Sequence, residues 1–484
     1  MIDLRPVLMI AGLFLGTLGL GMLVPAVVDL VSGSQDWTTF GVSAAVTVFV
    51  GGALGLANQG QWARLTIRQT FLLTTLCWLL VAVFGALPFM FSEYHLSYTD
   101  AFFEAMSGIT TTGATVLTGL NDAPPGLLLW RAMLQWLGGI GFIVMAVAVL
   151  PMLRVGGMQL FRTEGFEQSE KVLPRAAEIA FNIVGIYVGL SVAVAVALWA
   201  VGLSPLGAVG HAMTSIATGG FSTVDASVGH YDSATVDWIV NAAMVLGSLP
   251  FALYLKAVKV RDPRPLLRDS QVQAFLLILA VFIAVMTAYN MEVRGVAPGE
   301  ALRYSSFNVT SILTGTGYAT TDFGQWGSFA LTAFLFFMFI GGCAGSTTCG
   351  IKIFRFQVLY ATAKNQMKRL LQPHGVFIPY YNHQPIPQEV SAAVLGFFFL
   401  YMVCFALLTA VLGLLGLDFI TAVSGAASAI SNVGPGLGPV IGPGGETFAP
   451  LPDAAKWALA GGMLLGRLEL FTVLVLVMPG FWRE

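Results

Sequence analysis

Apolar residues in this chain gather in long runs, not in the narrow stripes of a soluble amphipathic helix. Runs that could cross a bilayer, which takes about 20 mostly apolar residues, lie at 6–30, 38–58, 69–91, 127–153, 178–202, 235–258, 271–290, 326–348, 390–416 and 455–479. The pattern predicts ten membrane spans. The last eight form pairs, and a shorter apolar piece sits inside each pair. These pieces, about ten to sixteen residues each, are too short to span and fit re-entrant helices that stop inside the membrane. They open with helix-starting chemistry: Thr99-Asp100, Ser204-Pro205, Pro298-Gly299-Glu300 and Asp418. The first run is broken only by Asp29. It exceeds the ~7–15 apolar residues of a secretory signal, so a retained first span is expected.

Each short piece runs into a glycine-bearing tetrapeptide. The four are Thr111-Thr112-Gly113-Ala114, Thr218-Gly219-Gly220-Phe221, Gly315-Thr316-Gly317-Tyr318 and Asn432-Val433-Gly434-Pro435. Aligned on Gly113, Gly220, Gly317 and Gly434, two further columns agree. Six residues earlier stand Ser107, Thr214, Ser311 and Ser428; four residues earlier stand Ile109, Ile216, Leu313 and Ile430. Glycine, hydroxyl and aliphatic columns recurring at a long period mark internal repeats. The order span, short helix, glycine motif, span therefore occurs four times. The first two spans carry no motif and form an accessory hairpin. The expected division is 1–62 for the hairpin, then 63–165, 166–265, 266–385 and 386–484 for the repeats.

Composition agrees. The chain has 484 residues, 56% hydrophobic and 10% charged, against about 25% charged in soluble domains. Its four cysteines make no CxxC pair and its five histidines no paired spacing, which excludes a disulfide framework or a zinc-motif enzyme from the expectations. His95, His211, His230, His374 and His383 all fall in expected loops or span ends. Charge sets orientation. With the N-terminus cytoplasmic, most basic residues fall inside, including Arg64, Arg68, Arg154, Arg162, Lys171, Arg175, Lys256, Lys364 and Lys368. Only Arg131, Arg294, Arg303 and Lys456 fall outside, with Arg467 left within a span. Acids such as Asp225, Asp322 and Glu446 collect on the outer, motif-bearing side, where they attract cations.

Irregular backbone at membrane depth is tolerated only where it is buried in protein or lines a polar cavity. Glycine permits dihedrals that turn carbonyls toward one axis, and rings of carbonyls replace a cation's hydration shell. The C-termini of the short helices add negative potential at the same place. Gly315-Thr316-Gly317-Tyr318 is close to the potassium-channel filter sequence. Four such units in one chain resemble the Trk/Ktr/HKT superfamily. The N-terminal hairpin, Arg131-Ala132-Met133-Leu134-Gln135-Trp136-Leu137-Gly138-Gly139-Ile140-Gly141 and Gly156-Gly157-Met158-Gln159-Leu160 are similar to its TrkH family, and the resemblance covers essentially the whole chain. It implies an all-α polytopic membrane protein with four fused span–pore-helix–span repeats around a pseudo-fourfold pore. It implies a potassium filter at Thr111, Thr112, Gly113, Thr218, Gly219, Gly220, Gly315, Thr316, Gly317, Asn432, Val433 and Gly434.

A second feature breaks the eighth run: Gly341-Gly342-Cys343-Ala344-Gly345-Ser346-Thr347-Thr348-Cys349-Gly350, followed by Ile351-Lys352. Small and hydroxyl residues in mid-span mark close packing or a break. The resemblance implies a movable loop at 341–351 beneath the filter, with Gly341, Gly342, Gly345, Ser346, Thr347, Gly350 and Lys352 in the gate. Arg467 stands near the middle of the last expected span, where a charge faces a cavity or a partner. On a continuous helix Glu469 would point away from it. The resemblance places Arg467 in the pore below the filter.

The resemblance further implies homodimerisation and a separate cytosolic TrkA-like ring of nucleotide-binding subunits. The chain itself contains no nucleotide-binding motif. No cofactor and no nucleic-acid partner is expected; the surroundings are membrane lipid, and potassium is the substrate. The expectation is a multi-pass protein of a bacterial inner membrane with both ends cytoplasmic, a transporter and not an enzyme. A potassium symporter coupled to sodium or protons is the alternative within the class.

Overall fold

The computed structural model describes residues 2–60, 65–146, 157, 172–382 and 384–483. Arg64, Arg154, Arg162, Lys171, His383, most of the Gly156–Leu160 stretch, and the boundaries at 62/63 and 165/166 lie outside the described residues, as does the side chain of Arg175.

The hairpin comprises α1 (Arg5–Gly21), α2 (Leu23–Ser32) and α3 (Trp37–Ala57). Glycine lets its helices touch: a Cβ on Gly12 would lie 2.6 Å from the Gly51 carbonyl. Asp29 fastens the hairpin to the first repeat by accepting the Gly126 N–H at 2.6 Å. That bond gives the fully buried acid a partner at Oδ1, while its Oδ2 has none among the described residues.

Repeat 1 contains α4 (Ile67–Gly85), α5 (Leu87–Phe91), the short helix α6 (Tyr98–Ile109) and α7 (Pro125–Val144). Repeat 2 contains α8 (Val172–Ala200), α9 (Pro205–Ile216), α10 (Ala234–Gly247) and α11 (Phe251–Val260). Repeat 3 contains α12 (Ser270–Glu292), α13 (Pro298–Leu313), α14 (Ser328–Phe337) and α15 (Ile353–Leu371), then a two-residue-strand hairpin of β1 (Tyr380–Tyr381) and β2 (Gln384–Pro385). Repeat 4 contains α16 (Gln388–Leu414), α17 (Phe419–Ser431), α18 (Asp453–Arg467) and α19 (Phe471–Val477). The short helices α6, α9, α13 and α17 span 12, 12, 16 and 13 residues, as their composition predicts. Their caps are Ser97, Ser204 and Asp418, each accepting a backbone N–H, while α13 opens on Pro298. In repeat 1 the cap is thus Ser97, ahead of the expected Thr99-Asp100.

The ten expected spans need correction in the second helix of the repeats. Among the described residues seven helices are long and apolar enough to cross a membrane, or nine if two bent pairs count. The run 235–258 is α10 and α11, bent by 92° at Ser248-Leu249-Pro250. Pro250 lacks an N–H and cannot continue the helix bonding. The run 455–479 is α18 and α19, bent by 116°, with Glu469 and Leu470 at φ of 59° and 53°. The run 326–348 is α-helical only over Ser328–Phe337. His211 also departs from expectation. It lies buried within α9, bonded to the Gly207 carbonyl at 2.8 Å and the Ser222 hydroxyl at 3.0 Å.

Candidate functional site

Each short helix ends in the same way. The first motif residue, Thr111, Thr218, Gly315 or Asn432, has a left-handed φ of 52, 50, 70 or 53°. Its N–H bonds three residues back, to Gly108, Ser215, Ile312 or Ala429. The next N–H, of Thr112, Gly219, Thr316 or Val433, bonds five residues back to Ser107, Thr214, Ser311 or Ser428 at 2.8–3.0 Å. This is the Schellman ending of a helix. It gives the hydroxyl column its first role, which is carried by the backbone carbonyl. Because a trans peptide points its C=O opposite its N–H, the carbonyls of these peptides point away from the helix. Three of the four first positions hold side chains in a conformation that L residues adopt at a cost.

The third motif residue is left-handed again: Gly113, Gly220, Gly317 and Gly434 at φ of 86, 80, 85 and 109°. The close approaches around them form a closed circuit. A Cβ on Gly113 would collide with the Gly219 carbonyl oxygen, one on Gly220 with that of Thr316, and one on Gly317 with that of Val433. One on Gly434 would come 2.8 Å from that of Thr112. Repeat 1 meets 2, 2 meets 3, 3 meets 4 and 4 meets 1. All twelve residues expected at the filter are therefore in one ring of backbone, at the C-termini of four helices.

Side chains brace the ring from behind, and sequence reasoning missed most of them. Gln135 of α7 donates to the Gly219 carbonyl at 2.6 Å and accepts the Phe221 N–H at 2.9 Å. The Ser428 hydroxyl donates to the Gly434 carbonyl at 2.8 Å, and that of Ser311 to the Tyr318 carbonyl at 2.7 Å. Asn432 bonds across to the Thr112 hydroxyl at 2.9 Å. A buried Glu104 accepts from Arg131 Nε at 2.8 Å, from the Val116 N–H at 2.9 Å and from the Thr115 hydroxyl. Only a glutamate-to-arginine spacing across one motif could have signalled that pair.

One face of the ring opens into a vestibule of about 290 Å³ lined by all four glycines, with Asp225, Asp322 and Glu446 on its wall. The four cations expected on this side are occupied locally. Arg131 pairs with Glu104, Arg303 with Asp237 and Asp232, Lys456 with Asp100, and Arg294 bonds Asn290. The acids on the wall thus set the sign of the vestibule.

The loop 341–351 lies under the other face. Thr347 Oγ1 is 3.1 Å from Thr218 Oγ1, Cys349 Sγ is 4.0 Å from Thr111 Oγ1, and a Cβ on Gly315 would lie 3.9 Å from the Cys349 N. The loop is a closed hairpin, with Gly341 N–H bonded to the Ile351 carbonyl and Gly342 N–H to the Thr348 hydroxyl. Ser346 bonds the Cys343 carbonyl, while Gly345 and Gly350 turn the chain at φ of 74 and 68°. Lys352 donates to the Thr348 carbonyl and sits 5.0 Å over the Phe142 ring. Arg467, the last residue of α18, is fully buried against the loop. It donates to the Thr347 carbonyl at 3.1 Å, the Gly138 carbonyl at 2.9 Å and Cys349 Sγ. It forms no ion pair among the described residues. Glu469 instead pairs with Arg355 at 2.5 Å. Because the helix stops at Arg467, the angular argument for a continuous helix does not apply, although the two side chains do serve different partners.

Fold and ring together define a polytopic membrane transport protein of four fused pore repeats. The sequence matches the TrkH family model, described as a cation transport protein, over residues 39–482. The chain belongs to the TrkH family. It is 45% identical over 480 residues to the Trk system potassium uptake protein TrkI of Halomonas elongata, covering 99% of this chain and 97% of that one. It is 38% identical over 492 residues to the Trk system potassium uptake protein TrkH of Vibrio parahaemolyticus, covering 99% of both. The crystal structure of the potassium transporter TrkH from Vibrio parahaemolyticus superposes with a TM-score of 0.93 at 37% identity over the whole of both chains. These relatives are named as transport proteins, not enzymes.

Proposed function

We propose that this chain is the pore-forming subunit of a potassium uptake system. The observation that carries the reading is the closed circuit of four left-handed–x–glycine motifs at four helix C-termini. In this reading the motif residues are the filter, and their carbonyls replace water around a dehydrated potassium ion. The four helix ends supply negative potential without an acidic side chain, and the vestibule acids raise the local cation concentration. The loop 341–351 is the gate. Arg467 places a fixed positive charge against it, which opposes a cation passing below the ring. Conduction is passive, driven by the membrane potential and the ion gradient. A TrkA-like cytosolic nucleotide-binding ring shifts the loop, the protein works as a homodimer in a bacterial inner membrane, and both ends are cytoplasmic. The relatives' names supply the choice of potassium.

The test is rubidium uptake into vesicles containing the purified protein, alone and then with the cytosolic partner and nucleotides, at imposed sodium and proton gradients. Uptake set by the membrane potential and the rubidium gradient supports a pore. Uptake driven uphill by sodium or protons would replace it with a symporter, and no uptake above protein-free vesicles would remove the proposal.

A further inference from the structure

On the side away from the vestibule, a cavity of about 430 Å³ lies between α15, the start of α12 and the segment 378–382. That volume is within the range of small-molecule sites, roughly 300–1,000 Å³. One wall is a single helical face: Gln357, Tyr360, Ala361, Lys364, Asn365 and Lys368 recur at three- and four-residue steps along α15. The Asn365 side-chain nitrogen is buried and has no hydrogen-bond partner among the described residues. Neither Lys364 nor Lys368 has a carboxylate within ion-pair distance among those residues. Each ammonium stands over a ring instead, Tyr360 at 5.9 Å and Phe377 at 5.8 Å. The nearby carboxylate, Asp269, is already engaged by the Gln271 and Val272 N–H groups and the Asn382 amide.

Two exposed ammonium groups and one buried, unpartnered amide nitrogen therefore line the same cavity, and a buried donor is costly to leave unpaired. A phosphate supplies several acceptor oxygens and the charge to match two ammonium groups. At the other end, Gln357 Oε1 is a buried acceptor without a partner among the described residues, which suits a hydroxyl. We propose that this cavity binds a phosphate ester carrying a free hydroxyl. The phosphate sits on Lys364, Lys368 and the Asn365 amide, and the hydroxyl on Gln357. The source is either an anionic lipid headgroup or a soluble ester.

The site is wired to the loop beneath the ring. Gln357 Nε2 donates to the Ser270 carbonyl at 2.9 Å, and the neighbouring Gln271 accepts the Ala344 N–H of the loop at 2.9 Å. α15 itself begins directly after the loop, with Lys352 as its cap. An occupant that holds Gln357 in place holds the loop where the structure has it, so occupancy lowers flux. This last step rests on reading 341–351 as the gate.

The experiment uses the full-length protein and reads binding separately from transport. Glycerol 3-phosphate is titrated into phosphatidylcholine nanodiscs, and phosphatidylglycerol is exchanged into them in a parallel arm. Bound ligand is counted by native mass spectrometry and by the shift in thermal stability. Saturable binding in either arm is expected, and the arm that responds identifies the source. Lys364→Gln with Lys368→Gln should weaken it at least ~10-fold, the loss of one charge-assisted contact or more. Asn365→Leu alone should weaken it with the helix intact. No binding in either arm, or equal binding by the variants, overturns the site. Binding with unaltered rubidium flux overturns the coupling alone, and binding without any rubidium conduction points to failure of the transport reading.

Discussion

Replacing Gly317 by alanine tests the ring at the position where two independent demands coincide. Its φ of 85° puts an L residue in the left-handed region, at a cost of about 1–2 kcal/mol. The added Cβ would overlap the Val433 carbonyl oxygen and stand 2.8 Å from Pro435 Cδ. Restoring an ordinary carbon–oxygen separation of about 3.3 Å moves that carbonyl by roughly an ångström. If the ring is the filter, losing one carbonyl–cation contact, of the order of a charge-assisted hydrogen bond at ~1.5–3 kcal/mol, raises the half-saturating ion concentration about 10- to 150-fold. Gly315 is the internal control. Its φ of 70° is also left-handed, but a Cβ there meets its nearest atom, the Asn432 carbonyl oxygen, at 3.2 Å. The equivalent positions hold Thr111, Thr218 and Asn432, so Gly315→Asn should shift half-saturation by less than about tenfold, since asparagine visits this region readily. The assay is rubidium uptake against rubidium concentration, with and without competing sodium, on variants that elute as wild type in size-exclusion chromatography. Wild-type affinity and sodium rejection in Gly317→Ala, or equal damage by both variants, would refute the reasoning.

Arg467→Ala removes the guanidinium contacts to Thr347, Cys349 and Gly138; if the loop is the gate, rubidium flux through the protein alone should rise several-fold, and unchanged flux would refute a gating role for Arg467. Glu104→Ala leaves Arg131 buried without its counter-charge, a change worth about 3–5 kcal/mol; the thermal midpoint should fall, and Glu104→Gln, which keeps an acceptor oxygen, should cost less. Gly138→Ala would drive a Cβ into the Ile109 carbonyl, whereas a Cβ on Gly141 meets only Trp78 at 3.8 Å; the yield of folded protein should collapse in the first variant and hold in the second.

The repeats, the short helices and the ring glycines were legible because they are local. Length limits, cap residues and glycine at a left-handed position leave their mark in neighbouring letters. The aliphatic column proves to belong to a contact the sequence did not display. The carbonyls of Ile109, Ile216 and Ile430 each face a glycine of the same repeat's second helix, Gly138, Gly247 or Gly466. The breaks at 248–250 and 468–470 escaped the hydropathy pattern for a different reason, although Pro250 marks the first of them. Hydropathy measures how apolar a run is, not which way it travels, and Ser248-Leu249-Pro250 or Leu468-Glu469-Leu470 barely lowers the mean. Gln135 was invisible as a brace because its partner, Gly219, belongs to the next repeat.

The broken second helices and the loop behave as one device. A continuous helix keeps its carbonyls for itself, while a helix end leaves them free. At the α10–α11 corner the Gly247 and Ser248 carbonyls accept the Thr347 and Cys343 N–H groups, and the Phe251 N–H donates to the Gly345 carbonyl. The loop of repeat 3 therefore hangs on a break in repeat 2. On the opposite side Arg467 reaches it from the end of α18, at the break in repeat 4. Releasing the loop from the first corner costs three backbone bonds, each ~0.5–1.5 kcal/mol net. That total, about 1.5–4.5 kcal/mol, lies below the ~5.5 kcal/mol needed to carry a two-state element from 1:99 to 99:1. If the loop is the gate, a partner that binds the released arrangement about 10- to 2,000-fold better offsets the loss of those three bonds, without unfolding the ring above it.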